Sequence, residues 1–351
     1  MSKDLKDKTL YELEKIILDL GQNKYLAGYI FHFIQAQNAS EISQITPLSK
    51  ALRQQLTEQG YYISKLKKTK KQIAQDKTTK YLFTLNDGNE IETVLLPSGK
   101  RKTLCISTQA GCDMNCVFCA TGKIKFIRNL STGEIVDQIL AVEADAGKVT
   151  NLVYMGMGEP LLNYSAVMKS IEILNHVKGK NIGIRHITVS TCGIIPMIEK
   201  LITEKLHPRL AISLNAPDDS LRTRIMPINE KYPLGGLIKA IIKYQDTIHQ
   251  RVTFEYVMIK NLNDSPNHAQ YLIKLIRGIS CNINLIEYNP HPDCRLKGSS
   301  SETLKEFASI LNNAGIETVI RYRMGRDINA ACGQLGVDSM KRLRELRSNE
   351  K

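Results

Sequence analysis

No run of about 18 consecutive apolar residues occurs in this 351-residue chain, so no transmembrane helix is expected. Its first residues, Met1-Ser2-Lys3-Asp4-Leu5-Lys6, mix charges and lack the apolar middle of a secretory leader, so no signal peptide is expected either. No repeat or low-complexity segment stands out, which sets aside solenoids and long disordered spacers. Gly156-Met157-Gly158 lacks the third glycine of a dinucleotide-binding fingerprint and closes with an acid and a proline, so a Rossmann reading is weak. A cytoplasmic location follows as the default expectation. Thiols stay reduced there, and the eight cysteines read as metal ligands or reaction groups rather than as disulfide staples.

Hydrophobic residues make up 42% of the chain, enough for a sizeable core, and the length suits one large domain with a small appendage. Lys and Arg number 48 against 35 Asp and Glu, a net charge of +13 that favours a polyanionic partner. Two basic runs concentrate the excess: Lys65-Leu66-Lys67-Lys68-Thr69-Lys70-Lys71, and a tail with Lys341, Arg342, Arg344 and Arg347. Such runs are often only solvated faces, so neither is decisive.

Residues 8 to 60 read as short helices. Leu10, Leu13, Ile16, Ile17 and Leu20 keep a 3.6-residue period that Gly21 stops; Tyr25, Tyr29, Phe31 and Phe33 fall in a second helix, and 48–60 form a third. Strands are expected at 61–63, 80–85 and 91–96, with Asn86-Asp87-Gly88 as the turn between the last two. From residue 103 strands and helices alternate. Strands are expected at 103–108, 151–155, 186–190, 209–214, 252–258 and 282–287, and helices at 132–146, 164–177, 196–204, 235–247 and 266–278. Ser131 with Glu134, and Ser299 with Glu302, have the spacing of capping boxes. The alternation implies an α/β protein with a parallel sheet, either open and doubly wound or a partial barrel.

Three of the eight cysteines crowd into Gly111-Cys112-Asp113-Met114-Asn115-Cys116-Val117-Phe118-Cys119. Thiolates at this density serve an iron–sulfur cluster, or zinc completed by a distant Cys or His. Three ligands on a four-iron cluster leave one iron open to a substrate. In a parallel β/α barrel the chemistry sits at the C-terminal ends of the strands. Those ends carry the cysteine motif, then Gly156-Met157-Gly158-Glu159-Pro160, Ser190-Thr191-Cys192-Gly193, Ser213-Leu214-Asn215 and Asn289-Pro290. Any one of these is ordinary turn chemistry. Their convergence argues for a bound polar ligand.

The cysteine spacing resembles that of radical S-adenosylmethionine (SAM) enzymes, and Gly158-Glu159-Pro160 resembles their element that grips the SAM amino group. With Met155-Gly156-Met157 and Ala330-Ala331-Cys332-Gly333-Gln334-Leu335, the chain resembles the radical SAM RNA adenine methyltransferases, the family of RlmN and Cfr, over residues 90 to 336. The resemblance implies a partial (β/α)6 radical SAM barrel over 98–300. A small helical and then stranded accessory region, 1–97, would meet RNA, and an extension, 301–351, would carry Cys332 and the basic tail.

The same resemblance implies that Cys112, Cys116 and Cys119 hold a [4Fe-4S] cluster. It places Gly158, Glu159, Ser190, Ser213, Leu214, Asn215 and Asn289 around SAM, although the family has His at the position of Asn215. Cys332 matches the cysteine that carries the methyl group, Cys105 its resolving partner in a transient disulfide, and Glu92 the proton acceptor. Two SAM molecules serve each turnover: one methylates Cys332, and the other generates the radical that activates that methyl group. Cys192, Cys281 and Cys294 match nothing catalytic. The implied reaction is methylation of carbon 2 of an adenine in 23S rRNA and in tRNAs, with a flavodoxin-like electron donor and a monomeric enzyme. Cfr-type methylation at carbon 8 is the alternative, against which Pro160 weighs. A metal-stabilised RNA-binding module without catalysis is a third reading, in which neither Glu159 nor Cys332 has a role.

Overall fold

The computed structural model describes residues 2–291 and 294–338; the basic tail with Lys341, Arg342, Arg344 and Arg347 lies outside them. The chain opens with α1 (Leu10–Asp19), α2 (Leu26–Gln35) and α3 (Lys50–Glu58). Thr9 and Glu12 close a capping box on α1, and Leu13 and Ile17 form its buried stripe. Strands β1 (Lys67–Ile73), β2 (Thr79–Thr84), β3 (Glu90–Ser98) and β4 (Arg101–Cys105) follow as an antiparallel run. β5 (Gln109–Ala110) and β6 (Arg128–Asn129) make a separate two-residue pairing. Beyond them come β7 (Asn151–Tyr154), β8 (Ile187–Thr191), β9 (Arg209–Ser213), β10 (Val252–Met258), β11 (Cys281–Glu287) and β12 (Thr318–Arg321).

Ten of these strands form one sheet in the order β1-β2-β3-β4-β7-β8-β9-β10-β11-β12, and every pairing from β4 to β12 is parallel. Spatial order is chain order throughout. A doubly wound sheet needs a point where the order reverses, and this sheet has none. Right-handed crossovers taken always in one direction put every helix on one face. These helices are α4 (Thr132–Ala146), α5 (Tyr164–Asn175), α6 (Ile195–Leu201), α7 (Asp219–Ile225), α8 (Ile228–Lys231), α9 (Leu234–Ile248), α10 (Pro266–Leu275) and α11 (Ser301–Asn313). The architecture is therefore the partial barrel, with helices outside and a hollow inner face. Alternate residues divide accordingly. Leu152, Tyr154, Val189, Ile212, Phe254, Tyr256 and Leu285 are buried core residues, whereas Ser190, Ser213, Glu255 and Asn284 line the hollow.

The expected six parallel strands gain a seventh, β12, whose four residues are too few for periodicity to reveal. The boundary expected at residue 97 falls between strands bonded to each other, with Pro97 opposite Lys102, so β1–β3 continue the barrel sheet. The N-terminal segment docks on α4: buried Lys6 donates to Asp137 Oδ1 at 2.5 Å, and Asp7 accepts from the Gly133 amide at 2.5 Å. The lysine-rich run at 65–71 is mostly β1 itself. Lys68 and Lys71 pair with Asp145, and Lys70 with Asp338. Residues 61–63 form no strand: Tyr62 makes one bridge to Asp4, because the partner segment turns into a helix at once. The Ser131–Glu134 box caps α4 as expected. At α11 the cap is Ser300, one residue later than expected, since Ser299 instead donates its hydroxyl to Asp264 at 2.7 Å.

Candidate active site

The inner face encloses a cavity of about 1080 Å³ whose wall draws on nearly every parallel strand. Cys105, Cys112, Cys116, Cys119, Gly158, Glu159, Ser190, Ser213, Asn215, Asn289 and Cys332 all line it. Residues scattered over more than 200 positions of sequence thus meet because most stand at or after a strand end, while Cys332 is brought in by a segment bonded to Asn289 and the cysteine loop.

The cysteine loop leaves β5 through Gly111, whose φ of 76° and whose packing against the Lys125 carbonyl both exclude a side chain. The Cys112 amide donates to Ile124 O at 3.1 Å and the Val117 amide to Ile225 O at 3.0 Å, pinning the loop at both sides. The three thiols act on one another electrostatically. Burial pushes the Cys112 thiol up to about 12 and the Cys116 thiol well above its ordinary value. The three thiols stand on one loop at the cavity wall and offer three sulfur ligands, the set that holds a four-iron cluster with one iron left open.

The strand ends next to the loop suit a polar ligand. At Gly156 a Cβ would lie 2.6 Å from the Ile106 backbone, so the β4 and β7 exits meet only through glycine. Glu159 is buried; its oxygens accept the Leu161 amide at 3.1 Å and the Cys192 amide at 2.8 Å, while burial raises its carboxyl. Asn289 donates to Cys332 O at 3.0 Å, and its buried Oδ1 is left without a partner. An orphaned acceptor at a cavity wall marks where a ligand donor belongs. The segment bearing Cys332 is tied to the cysteine loop as well: Ala120 donates to Gly333 O at 2.7 Å and Thr121 to Leu335 O at 2.7 Å. Cys332 opens into the cavity, and the protein around it pushes its thiol up to about 11. Burial and then the neighbouring Cys332 push the Cys105 thiol up. All eight cysteines are free thiols, so the disulfide expected between Cys105 and Cys332 is not formed in this structure.

The family model of the radical SAM superfamily matches residues 106–272. A radical SAM methyltransferase from Sphaerobacter thermophilus superposes with a TM-score of 0.90 at 43% identity, over 95% of this chain and 99% of that one. A probable dual-specificity RNA methyltransferase RlmN from Thermoanaerobacter sp. is 45% identical over 95% of this chain and 97% of its own length. The dual-specificity RNA methyltransferase RlmN of Alcanivorax borkumensis is 41% identical over 92% of this chain and 87% of its own. The chain belongs to the RlmN family. RlmN enzymes are radical SAM RNA methyltransferases that use a [4Fe-4S] cluster and two SAM per turnover, and the Cfr-type alternative is not favoured.

Within the RlmN frame, two of the expected site residues do not reach the cavity. Leu214 points into the core, and its backbone is engaged by Glu255 O at 3.0 Å and Arg222 Nε at 3.1 Å. Glu92 shares the inward face of β3 with Val94, yet it lies under residues 329–338. There Lys80 bridges Glu92 Oε2 at 3.5 Å and Asp338 Oδ2 at 2.9 Å, and burial raises the Glu92 carboxyl against the pull of Lys80. Asn215 does line the cavity, but its amide is occupied: Oδ1 accepts the Val257 amide at 2.9 Å and Nδ2 meets Met226 Sδ at 3.2 Å. Its φ of 60° suits Asn.

Sequence reasoning missed Arg222, a buried guanidinium on α7 that ties the strand exits together through Cys192 O at 2.6 Å and Ser213 O at 3.2 Å. It also missed Glu255, Asn284 and Arg321 on the cavity wall. Burial raises the Glu255 carboxyl to about 7. A lone acid inside the apolar strand Val252–Met258 was the available signal.

Proposed function

We propose that this chain methylates carbon 2 of an adenine in 23S rRNA and in tRNA, with Cys332 as the carrier of the methyl group. One observation carries the reading: Cys105 and Cys332 stand as two free thiols in the cavity that the Cys112, Cys116 and Cys119 loop also lines. Ring carbon 2 has no acidic proton, so it cannot displace a methyl group from SAM directly. A methyl group first placed on sulfur avoids that step.

Cys112, Cys116 and Cys119 hold the cluster. Gly158, Glu159, Ser190, Ser213, Asn215 and Asn289 surround SAM, with Leu214 contributing only the backbone turn between Ser213 and Asn215. Bound there, the cluster and SAM supply the methyl group and one-electron chemistry. Cys105 detaches the RNA by bonding to the Cys332 sulfur, a transient disulfide of the kind that persists in a reducing compartment only as a catalytic intermediate. Glu92 takes the ring proton, and Lys80 beside it favours its charged form. Residues 1–97 with their lysine-rich strand act as the RNA-facing accessory region, 98–300 as the barrel, and 301–351 as the extension carrying Cys332. A cytoplasmic monomer served by a flavodoxin-like reductant completes the picture. Among the described residues no helix is long and apolar enough to cross a membrane.

The test is mass spectrometry of rRNA and tRNA from a strain lacking the gene. Loss of a carbon-2 methyl from one rRNA adenine and from tRNA is expected. Loss of a carbon-8 methyl, or an unchanged RNA, would refute the reading.

A further inference from the structure

β12 is the last strand of the sheet and pairs on one side only, with Ile283–Ile286 of β11. Its sequence, Thr318-Val319-Ile320-Arg321, runs on into Tyr322 and Arg323. The two arginines stand in opposite surroundings. Arg323 is largely buried, and its guanidinium meets Glu287 Oε1 at 2.7 Å. Arg321 is exposed and has no carboxylate within ion-pair distance among the described residues. Only its Nε is engaged, donating to Asn284 Oδ1 at 3.3 Å.

The hold on Arg321 is built from the interior outward. Glu255 of β10 and Asn284 of β11 are register partners, each only 7% exposed. Asn284 Nδ2 donates to Glu255 Oε1 at 2.8 Å, which fixes the end of the amide that faces β12. Its Oδ1 is the end left for Arg321, and it takes Nε rather than a terminal nitrogen. Nη1 and Nη2 are thereby left without a protein partner among the described residues. Two such donors on one planar edge form the fork that takes an oxyanion bidentately. All three side chains line the cavity. Two buried polar groups that together aim one unpaired cation into a cavity point to an anion there.

Position selects among anions. The expected SAM contacts come mainly from the exits of β7, β8 and β9, and β12 lies three strands beyond β9. Tyr322, 58% exposed, also lines the cavity, so this part of the wall reaches solvent. An adenine held in RNA enters a cavity only by leaving its stack, and its nucleotide brings flanking phosphates to the rim. A guanidinium fork beside an exposed aromatic ring suits such a strand. We propose that the β12 exit is an RNA contact: Arg321 forks a backbone phosphate next to the target adenine, Tyr322 stacks on a neighbouring base, and Asn284 with Glu255 are positioning residues. This inference rests on the RNA substrate entering this cavity.

The test uses full-length enzyme with its cluster, a tRNA transcript and a 23S rRNA fragment, and measures Kd over about 0.05–0.3 M salt. Arg321→Gln should bind RNA about 10-fold more weakly near about 0.1 M salt, with a slope of log Kd against log salt shallower by about 0.7–1. Arg321→Lys should restore the slope. Tyr322→Ala should weaken binding by about 5-fold or more with the slope unchanged, and Tyr322→Phe should bind as wild type does. Asn284→Ala should weaken RNA binding on its own and add nothing in the Arg321→Gln background, because it acts only through that guanidinium. Unchanged affinity and slope in Arg321→Gln would overturn the inference. So would weakened equilibrium SAM binding with RNA affinity intact, which gives the fork to the SAM carboxylate. Additive losses for Asn284→Ala and Arg321→Gln would remove the positioning role. If wild type binds neither RNA, the proposed substrates fail, and this inference with them.

Discussion

Glu255 should burden the fold it serves, and the burden can be measured. Burial raises its carboxyl from the ordinary 4.5 to about 7. The folded state therefore holds this proton more tightly than the unfolded chain, and stability is lost as pH rises from 4.5 through 7. At 1.36 kcal/mol per pH unit, that gap costs about 3 kcal/mol once the folded group is ionised. Glu255→Gln keeps an acceptor for Asn284 and removes the titration. The variant should be more stable than wild type by about 3 kcal/mol near pH 8, and the difference should close toward about pH 5. Urea denaturation of the metal-free, reduced full chain across this range reads it directly, because the other buried carboxyls, Asp4, Asp7, Glu92, Asp137 and Glu159, are common to both proteins and cancel in the comparison. Parallel stability curves for the two proteins would refute the burial argument.

Cys112→Ala should lose its cluster and all turnover; wild-type iron content after anaerobic reconstitution would contradict the assigned ligand set. Cys105→Ala should accumulate a nuclease-sensitive protein–RNA species on denaturing gels, and Cys105→Ala/Cys332→Ala should not; equal shifts in both, or in neither, would remove the roles of these thiols. Gly156→Ala pushes a Cβ to within 2.6 Å of the Ile106 backbone and should cost about 1–3 kcal/mol in chemical denaturation, so a cost near zero would show that the β4 and β7 exits can part. Neutralising Lys67, Lys68, Lys70 and Lys71 together should weaken RNA binding and lower its salt dependence with little effect on RNA-independent SAM cleavage. An unchanged salt slope would mean that β1 serves only its pairs with Asp145 and Asp338.

Where structure depends on neighbours in sequence, the sequence was enough. The crowding of Cys112, Cys116 and Cys119 needs only a few residues of loop, and it pointed to a cluster before any fold was known. α4 was legible to the residue, because Ser131 and Glu134 form its capping box and Gly147, at φ 75°, ends it. The β/α alternation followed from the length and polarity of each segment. Choosing a barrel over a doubly wound sheet was not possible there, since strand order is a set of long-range hydrogen bonds that leaves no local mark. The same holds for β12 and for β1, whose lysines disguise an edge strand that is almost entirely exposed.

The site divides along the same line. That Cys105 and Cys332 belong together came from resemblance; that they open into one cavity is a fact of the sheet, which carries one on β4 and ties the other to the cluster loop and to Asn289. Residue type alone cannot tell a side chain on the cavity wall from one turned into the core. Leu214 faces away, Glu92 is covered by the segment that carries Cys332, and Glu255 stands on the cavity wall. Sequence determined which reactive groups the protein possesses and which local elements carry them. Tertiary structure decided which of them share a cavity, because the inward or outward facing of a strand residue is set by the register of its neighbours, and its burial by segments hundreds of residues away.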